Sequence, residues 1–123
     1  MSISEFKIFL AQSAFTSKEI LEILAKDKDW YVREAVTRNS NTPKEIFEIL
    51  AKDKDPDVRI SIAQNPNTPK DILEILTNDK EYFVRASVAR NPNISKKILE
   101  LLSKDEKYWI RELAEKNIQM KIK

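Results

Sequence analysis

The feature that most constrains this chain is a phrase that returns every 26 residues. It reads TSKEILEILAKDKDWYVREAVTRNSN from Thr16, TPKEIFEILAKDKDPDVRISIAQNPN from Thr42, TPKDILEILTNDKEYFVRASVARNPN from Thr68 and ISKKILELLSKDEKYWIRELAEKNIQ from Ile94. The first two copies agree at sixteen of 26 positions. A period of this length makes each copy one supersecondary unit, too small to bury its own apolar face, so neighbouring copies complete one another's core by stacking. Residues 3–15, ISEFKIFLAQSAF, match the second half of a copy, with Phe6, Phe9 and Leu10 at the places of Val32, Ala35 and Val36. The expected organisation is a single repeat domain over 1–123: a half-repeat cap at 1–15, repeats at 16–41, 42–67, 68–93 and 94–119, and a tail at 120–123.

Each copy reads as two helices. Thr42 as N-cap, Pro43 at the first helical position and Glu45 three residues after the cap have the form of a capping box, and Thr68, Pro69 and Asp71 approximate it. Ile46, Phe47, Ile49 and Leu50 follow at helical spacing as an apolar stripe, as do Ile72, Leu73, Ile75 and Leu76. Lys44, Glu48 and Lys52 lie four apart on the opposite, solvent side. The second helix starts after a charged turn, most plainly at Asp55 and Pro56, and keeps Val58, Ser61 and Ile62 inward. It stops at Asn65, Pro66 and Asn67, because proline cannot continue the hydrogen-bond ladder and pushes the preceding residue out of helical geometry. Such a short helix is unstable alone and must be held by its neighbours. The small residues Ala35, Ser61 and Ser87 at one inner position imply close approach of an adjacent helix.

The run DPDVRISIAQNPNTPKDILEIL resembles the leucine-rich repeat variant family, whose units carry a D-P-D-x-V-R-x-A-V-A-x-N-P-x-T-P phrase followed by a leucine-rich helix. The likeness covers residues 16 to 117, and the D-x-x-V-R portion is also similar to the second helix of HEAT repeats. The resemblance implies an all-α, right-handed α-solenoid of four two-helix repeats behind an N-terminal capping helix, with the short second helix part 3₁₀. There are two departures. The family's described example joins its repeats to a cysteine-bound iron–sulfur region, which a chain without cysteine cannot have. The fourth copy opens with Ile94 and Ser95 in place of Thr and Pro and runs on through Asn117, Ile118 and Gln119, in the manner of a terminal cap.

Absent residue types narrow the function. Without cysteine there are no disulfides, thiolate metal sites or cysteine nucleophile. Without histidine the usual general base and the commonest metal ligand are missing, and without glycine no phosphate-cradling loop of the Walker or dinucleotide type can be built. The carboxylates sit in solvated i, i+4 patterns or turns rather than in apolar pockets that raise a pKa. Asp27 and Asp29, and Asp53, Asp55 and Asp57, are interleaved with Lys or lack the loop glycine of a calcium site. The expectation is no enzyme, no cofactor and no metal. No apolar run approaches the roughly 20 residues of a membrane span, and MSISEFK is not the start of a secretory signal, so a cytoplasmic protein without membrane contact is expected.

What remains is a binding surface. Arg33, Arg59, Arg85 and Arg111 recur once per copy, as do Asp27, Asp53, Asp79 and Asp105, which points to guanidinium–carboxylate pairing within or between units. Asn39, Asn65, Asn91 and Asn117 are read as satisfying loop and helix-end backbone groups. The four copies carry net charges of 0, −1, 0 and +1, so no basic block exists. Arg33, Arg38, Arg59, Arg85, Arg90, Arg111 and Lys116 nevertheless share the second helices and define an alternative, nucleic-acid-binding reading. Six of the ten aromatic residues, Trp30, Tyr31, Tyr82, Phe83, Tyr108 and Trp109, open second helices. Helical spacing turns Trp30, Tyr82 and Tyr108 outward and sets Tyr31, Phe83 and Trp109 beside the core. The leading expectation is a scaffold that binds a protein or peptide through these six residues. Self-association through Ile118, Met120 and Ile122, or through Phe6 and Phe9, is the third, leaving the chain a monomer or weak homo-oligomer.

Overall fold

In the computed structural model, residues 1–122 are described, with side chains to Lys121; Lys123 and the Ile122 side chain, part of the apolar tail named above, lie outside the described residues. The described residues form nine helices and no strand: α1 (Ile3–Gln12), α2 (Lys18–Leu24), α3 (Trp30–Thr37), α4 (Lys44–Leu50), α5 (Pro56–Gln64), α6 (Lys70–Leu76), α7 (Tyr82–Ala89), α8 (Lys96–Leu102) and α9 (Tyr108–Ile122). The odd-numbered helices pack in a row, each on the next, and the even-numbered ones pack chiefly against the odd helices on either side. The result is an all-helical, repeat-like architecture in which equivalent contacts recur 26 residues apart.

The core runs between the two rows. Ile46, Phe47 and Leu50 of α4, and Ile72, Leu73 and Leu76 of α6, meet Val32 and Val36 of α3, Val58 and Ile62 of α5, and Val84 and Val88 of α7, all buried. Each large aliphatic buried here contributes about 2 kcal/mol, and this burial is what keeps seven-residue helices folded. The fourth member of each expected stripe is not in the core. Ile23, Ile49, Ile75 and Leu101 are exposed, because each lies about 100° round its helix from the buried leucine that follows and the helix is covered from one side only.

The helix starts also differ from expectation. α4 begins at Lys44, with extended Pro43 as N-cap and no side chain capping it. Thr42 instead turns back and donates its hydroxyl to the Val36 carbonyl at 2.6 Å, and Thr68 does the same to Ile62 at 2.6 Å. The capping box of Thr42, Pro43 and Glu45 therefore does not form; the hydroxyl closes the end of the preceding helix. Where the sequence has serine one position on, a side-chain cap appears: Ser17 accepts from the Ile20 N–H and Ser95 from the Ile98 N–H, each at 3.3 Å.

The second helices α3, α5 and α7 are α-helical along their length, and bonds of the shorter 3₁₀ type are confined to their two ends, as from the Val58 N–H to the Asp55 carbonyl at 3.1 Å and from the Arg38 N–H to the Ala35 carbonyl at 3.1 Å. α9 runs past Asn117 because Ile118 stands where Pro66 and Pro92 stand in the two preceding copies. No described helix is long and apolar enough to cross a membrane.

Candidate partner-binding surface

The repeated charges join one unit to the next. Arg59 Nε donates to Asp79 Oδ2 at 2.8 Å and Nη2 to Oδ1 at 3.3 Å, while Nη1 holds the Asp53 carbonyl of its own unit at 2.6 Å. Arg33 grips Asp53 and the Asp27 carbonyl in the same way, with Nε–Oδ2 2.7 Å and Nη1–O 2.7 Å, and Arg85 grips Asp105 and the Asp79 carbonyl, each at 2.8 Å. All three arginines are buried, Arg59 to 6% exposure. The hydrogen bonds to Asp53 and Asp105 raise the pKa values of Arg33 and Arg85 against the opposing effect of burial. Burial pushes the Asp105 carboxyl up, but Arg85 and the Lys107 N–H outweigh it and leave it below the usual carboxylate range.

The ladder is adapted at both ends. Lys7 of α1 stands where an arginine would and pairs with Asp27 at 2.8 Å. There too burial opposes ionisation, and the Lys7 hydrogen bond with that of the Asp29 N–H carries the carboxyl down. Arg111, in the last copy, reaches the Asp105 carbonyl at 2.6 Å, meets no carboxylate among the described residues and is exposed.

A second ladder runs through the asparagines in the opposite direction. Asn91 Nδ2 donates to the Ala63 carbonyl at 2.8 Å and the Asn65 carbonyl at 3.0 Å, one unit back, and its Oδ1 accepts the Asn93 N–H at 2.8 Å. Asn39 binds the Ala11 and Ser13 carbonyls, Asn65 the Thr37 carbonyl, and Asn117 those of Ala89 and Asn91. Each amide ties down helix-end carbonyls that would otherwise be left without donors.

These bonds sort the cations. The guanidinium donors of Arg33, Arg59 and Arg85 are committed internally and cannot also grip a row of phosphates. Arg38, Arg90, Arg111 and Lys116 are exposed, with Arg38 paired to Glu34. The structure thus does not gather the seven second-helix cations into one free basic surface.

The aromatic residues stand at the N-terminal ends of the odd helices in two groups, separated by Pro56 and Asp57. Trp30 and Tyr31 meet edge to face at 5.8 Å. Tyr82, Phe83 and Trp109 form a three-ring cluster with centroids 4.5, 5.8 and 5.9 Å apart, and Lys107 Nζ lies 5.3 Å from the Tyr82 ring. Tyr108 is exposed and Trp109 half-buried, as the spacing implies. The other pairs do not divide that way: Trp30 and Tyr31 are about equally exposed, and Phe83 at 57% is more exposed than Tyr82 at 38%. Both rings meet Trp109 of the next unit, but Tyr82 also has Lys107 over its face, which leaves it less exposed than helical angle alone implies.

Among the described residues no group of three or more Asp, Glu, Cys or His side chains is placed to hold a metal ion. Sequence reasoning overlooked the exposed aliphatic row of Ile23, Ile49, Ile75 and Leu101, whose only signal is its position beside a stripe it resembles. Compared with known proteins, the chain matches no family model, no curated protein and no solved structure.

Proposed function

We propose that this chain is a non-catalytic scaffold, a right-handed α-solenoid of four units of the leucine-rich repeat variant kind, that binds a protein or peptide along the aromatic edge of its second helices. The observation that carries this reading is that the repeated Arg, Asp and Asn side chains are spent on joining units, while Trp30, Tyr31, Tyr82, Phe83 and Tyr108 remain exposed on one edge. Exposed Trp and Tyr beside charged residues are the types that anchor interfaces. Rings already packed on one another, as in the Tyr82, Phe83 and Trp109 cluster, lose little rotamer freedom when a partner covers them.

The test is affinity capture from host extract with the wild type and with a Trp30→Ala, Tyr82→Ala, Tyr108→Ala variant of unchanged helical circular dichroism. The variant should lose one or more proteins that the wild type retains, with little change in the wild-type set as salt is raised. Identical sets from the two baits would refute the aromatic edge. Loss of the retained set with salt, together with bound nucleic acid, would transfer the function to Arg38, Arg90, Arg111 and Lys116.

A further inference from the structure

The two ends of the stack are built differently. The outer side of α9 exposes Arg111, Glu112, Glu115, Lys116 and Gln119 around Tyr108 and Met120, a mostly polar closing surface of the kind that stacked repeats require. α1, at the other end, does the reverse. Along a helix of 3.6 residues per turn, Ile3, Phe6 and Phe9 share an arc of about 120°, and fully buried Ala11 lies on the opposite side. Phe6 holds the place of Val32, Val58 and Val84, each completely buried, yet it is 50% exposed, and Phe9 is 60% exposed. The expected register is nevertheless kept, since the Ala11 carbonyl binds Asn39 as the Thr37 carbonyl binds Asn65. α1 therefore carries core-type side chains on a face that no described residue covers. Phe15, in the turn that follows, is 98% exposed.

We propose that this face is covered by the same face of a second copy, α1 against α1 across a twofold axis. The charged outer side of α9 disfavours head-to-tail stacking, which would press Phe6 and Phe9 onto Arg111, Glu112 and Glu115. A further unit of the same kind would have to seat Phe9 where Ala35, Ser61, Ser87 and Leu113 stand, all of them smaller. The area matches a self-complementary contact. A covered aromatic side chain buries about 150–250 Å², so at the exposures of Phe6, Phe9, Phe15 and Ile3 a second copy removes on the order of 550 Å² of apolar surface per protomer. With Ser2, Glu5 and Gln12 as a polar rim, this approaches the ~800 Å² per partner of a standard interface. It also stands near the upper end of the ~300–600 Å² patch that a monomer leaves bare.

The inference is independent of the aromatic edge, and it is tested by mass in solution. Sedimentation of the full chain across the micromolar range should show a species of twice the 14.4 kDa chain mass. Phe6→Glu with Phe9→Glu should weaken self-association roughly thirtyfold or more with unchanged helical signal, the size of effect expected on losing interface anchors. Because the chain has no cysteine, single introduced thiols give a second readout that needs no disruptive change. Gln12→Cys, on the polar rim, should be joined into a covalent dimer by a bifunctional maleimide, and Glu112→Cys should not. A wild type that stays monomeric overturns the proposal, as do a mass that grows beyond the dimer and cross-linking at Glu112→Cys equal to that at Gln12→Cys.

Discussion

Consider Arg59→Met, which keeps most of the apolar stem and removes only the guanidinium fork. The change takes two donors from Asp79, whose side chain is 9% exposed, and one from the Asp53 carbonyl. Asp79 keeps a single bond, from the Glu81 N–H at 2.9 Å. Stripping one partner from a buried ion pair costs about 3–5 kcal/mol, most of it the uncompensated charge left behind. The remaining N–H bond and the position at the edge of the stack place Arg59→Met at the lower end, about 3 kcal/mol. Adding Asp79→Asn to Arg59→Met removes that charge and should recover about 1–2 kcal/mol, a non-additivity expected only of groups in contact. Arg111→Met is the internal control. It deletes the same residue at the same place in the last copy, where the guanidinium holds one carbonyl and faces solvent, and should cost about 0.5–1 kcal/mol. Urea unfolding at neutral pH measures the wild type and these three variants by linear extrapolation. Far-ultraviolet circular dichroism should coincide with the fluorescence of Trp30 and Trp109, which report on the first and last copies, and coincidence licenses a single free energy. Equal losses for Arg59→Met and Arg111→Met, or a double variant no better than the single, would show that the ladder does not join the units energetically.

Three further outcomes follow from the same contacts. Asn91→Asp keeps the acceptor used by the Asn93 N–H but replaces the amide that serves the Ala63 and Asn65 carbonyls, and should cost about 2–3 kcal/mol in the same melts. Thr68→Asn should destabilise by about 1–2 kcal/mol, although asparagine is a good N-cap, since the hydroxyl serves the Ile62 carbonyl; Ser95→Ala should cost about 1 kcal/mol through loss of a true cap, and an unchanged midpoint for Thr68→Asn would restore the capping box. Asp27 and Asp105 have lowered folded pKa values, so their contribution is complete above the unfolded value of about 3.9 and is lost as pH falls below it. The urea midpoint should therefore drop steeply below about pH 4, and less steeply in Asp105→Asn; parallel profiles would contradict the assignment.

The repeat period, the two helices per copy and most inward positions were legible in the sequence because they depend on spacing along one helix, but Ile49 and Ile75, counted in the stripe, are exposed. The partners of Arg59 and Asn91 were legible only as classes. A residue present once per copy signals a scaffold role, but not that arginine reaches one unit forward and asparagine one unit back. Thr42 and Pro43 misled because the Thr-Pro-x-Glu phrase has two physical solutions. A hydroxyl can accept from the helix that follows or donate to the one that precedes, and the extended Pro43 backbone selects the second. Phe6 and Phe9 occupy core positions by alignment, and no local pattern says that the neighbour which buries those positions elsewhere is missing. Tyr82 and Phe83 reversed their expected order for a related reason: the Lys107 chain that lies over Tyr82 belongs to the next unit.

Because every internal arginine looks one unit ahead and every asparagine one unit behind, neither ladder records how many units lie between the ends. Excising residues 42–67 would leave Arg33 opposite Asp79 and Asn91 opposite the Thr37 carbonyl, each inheriting the geometry of the bond it replaces. The same cut would bring Trp30 and Tyr31 up to Tyr82 and Phe83, closing the interval held open by Pro56 and Asp57, and duplicating the block would widen it. The distance between the two ring groups is thus graduated like a ruler, in steps of one copy, and can be reset without redesigning either ladder.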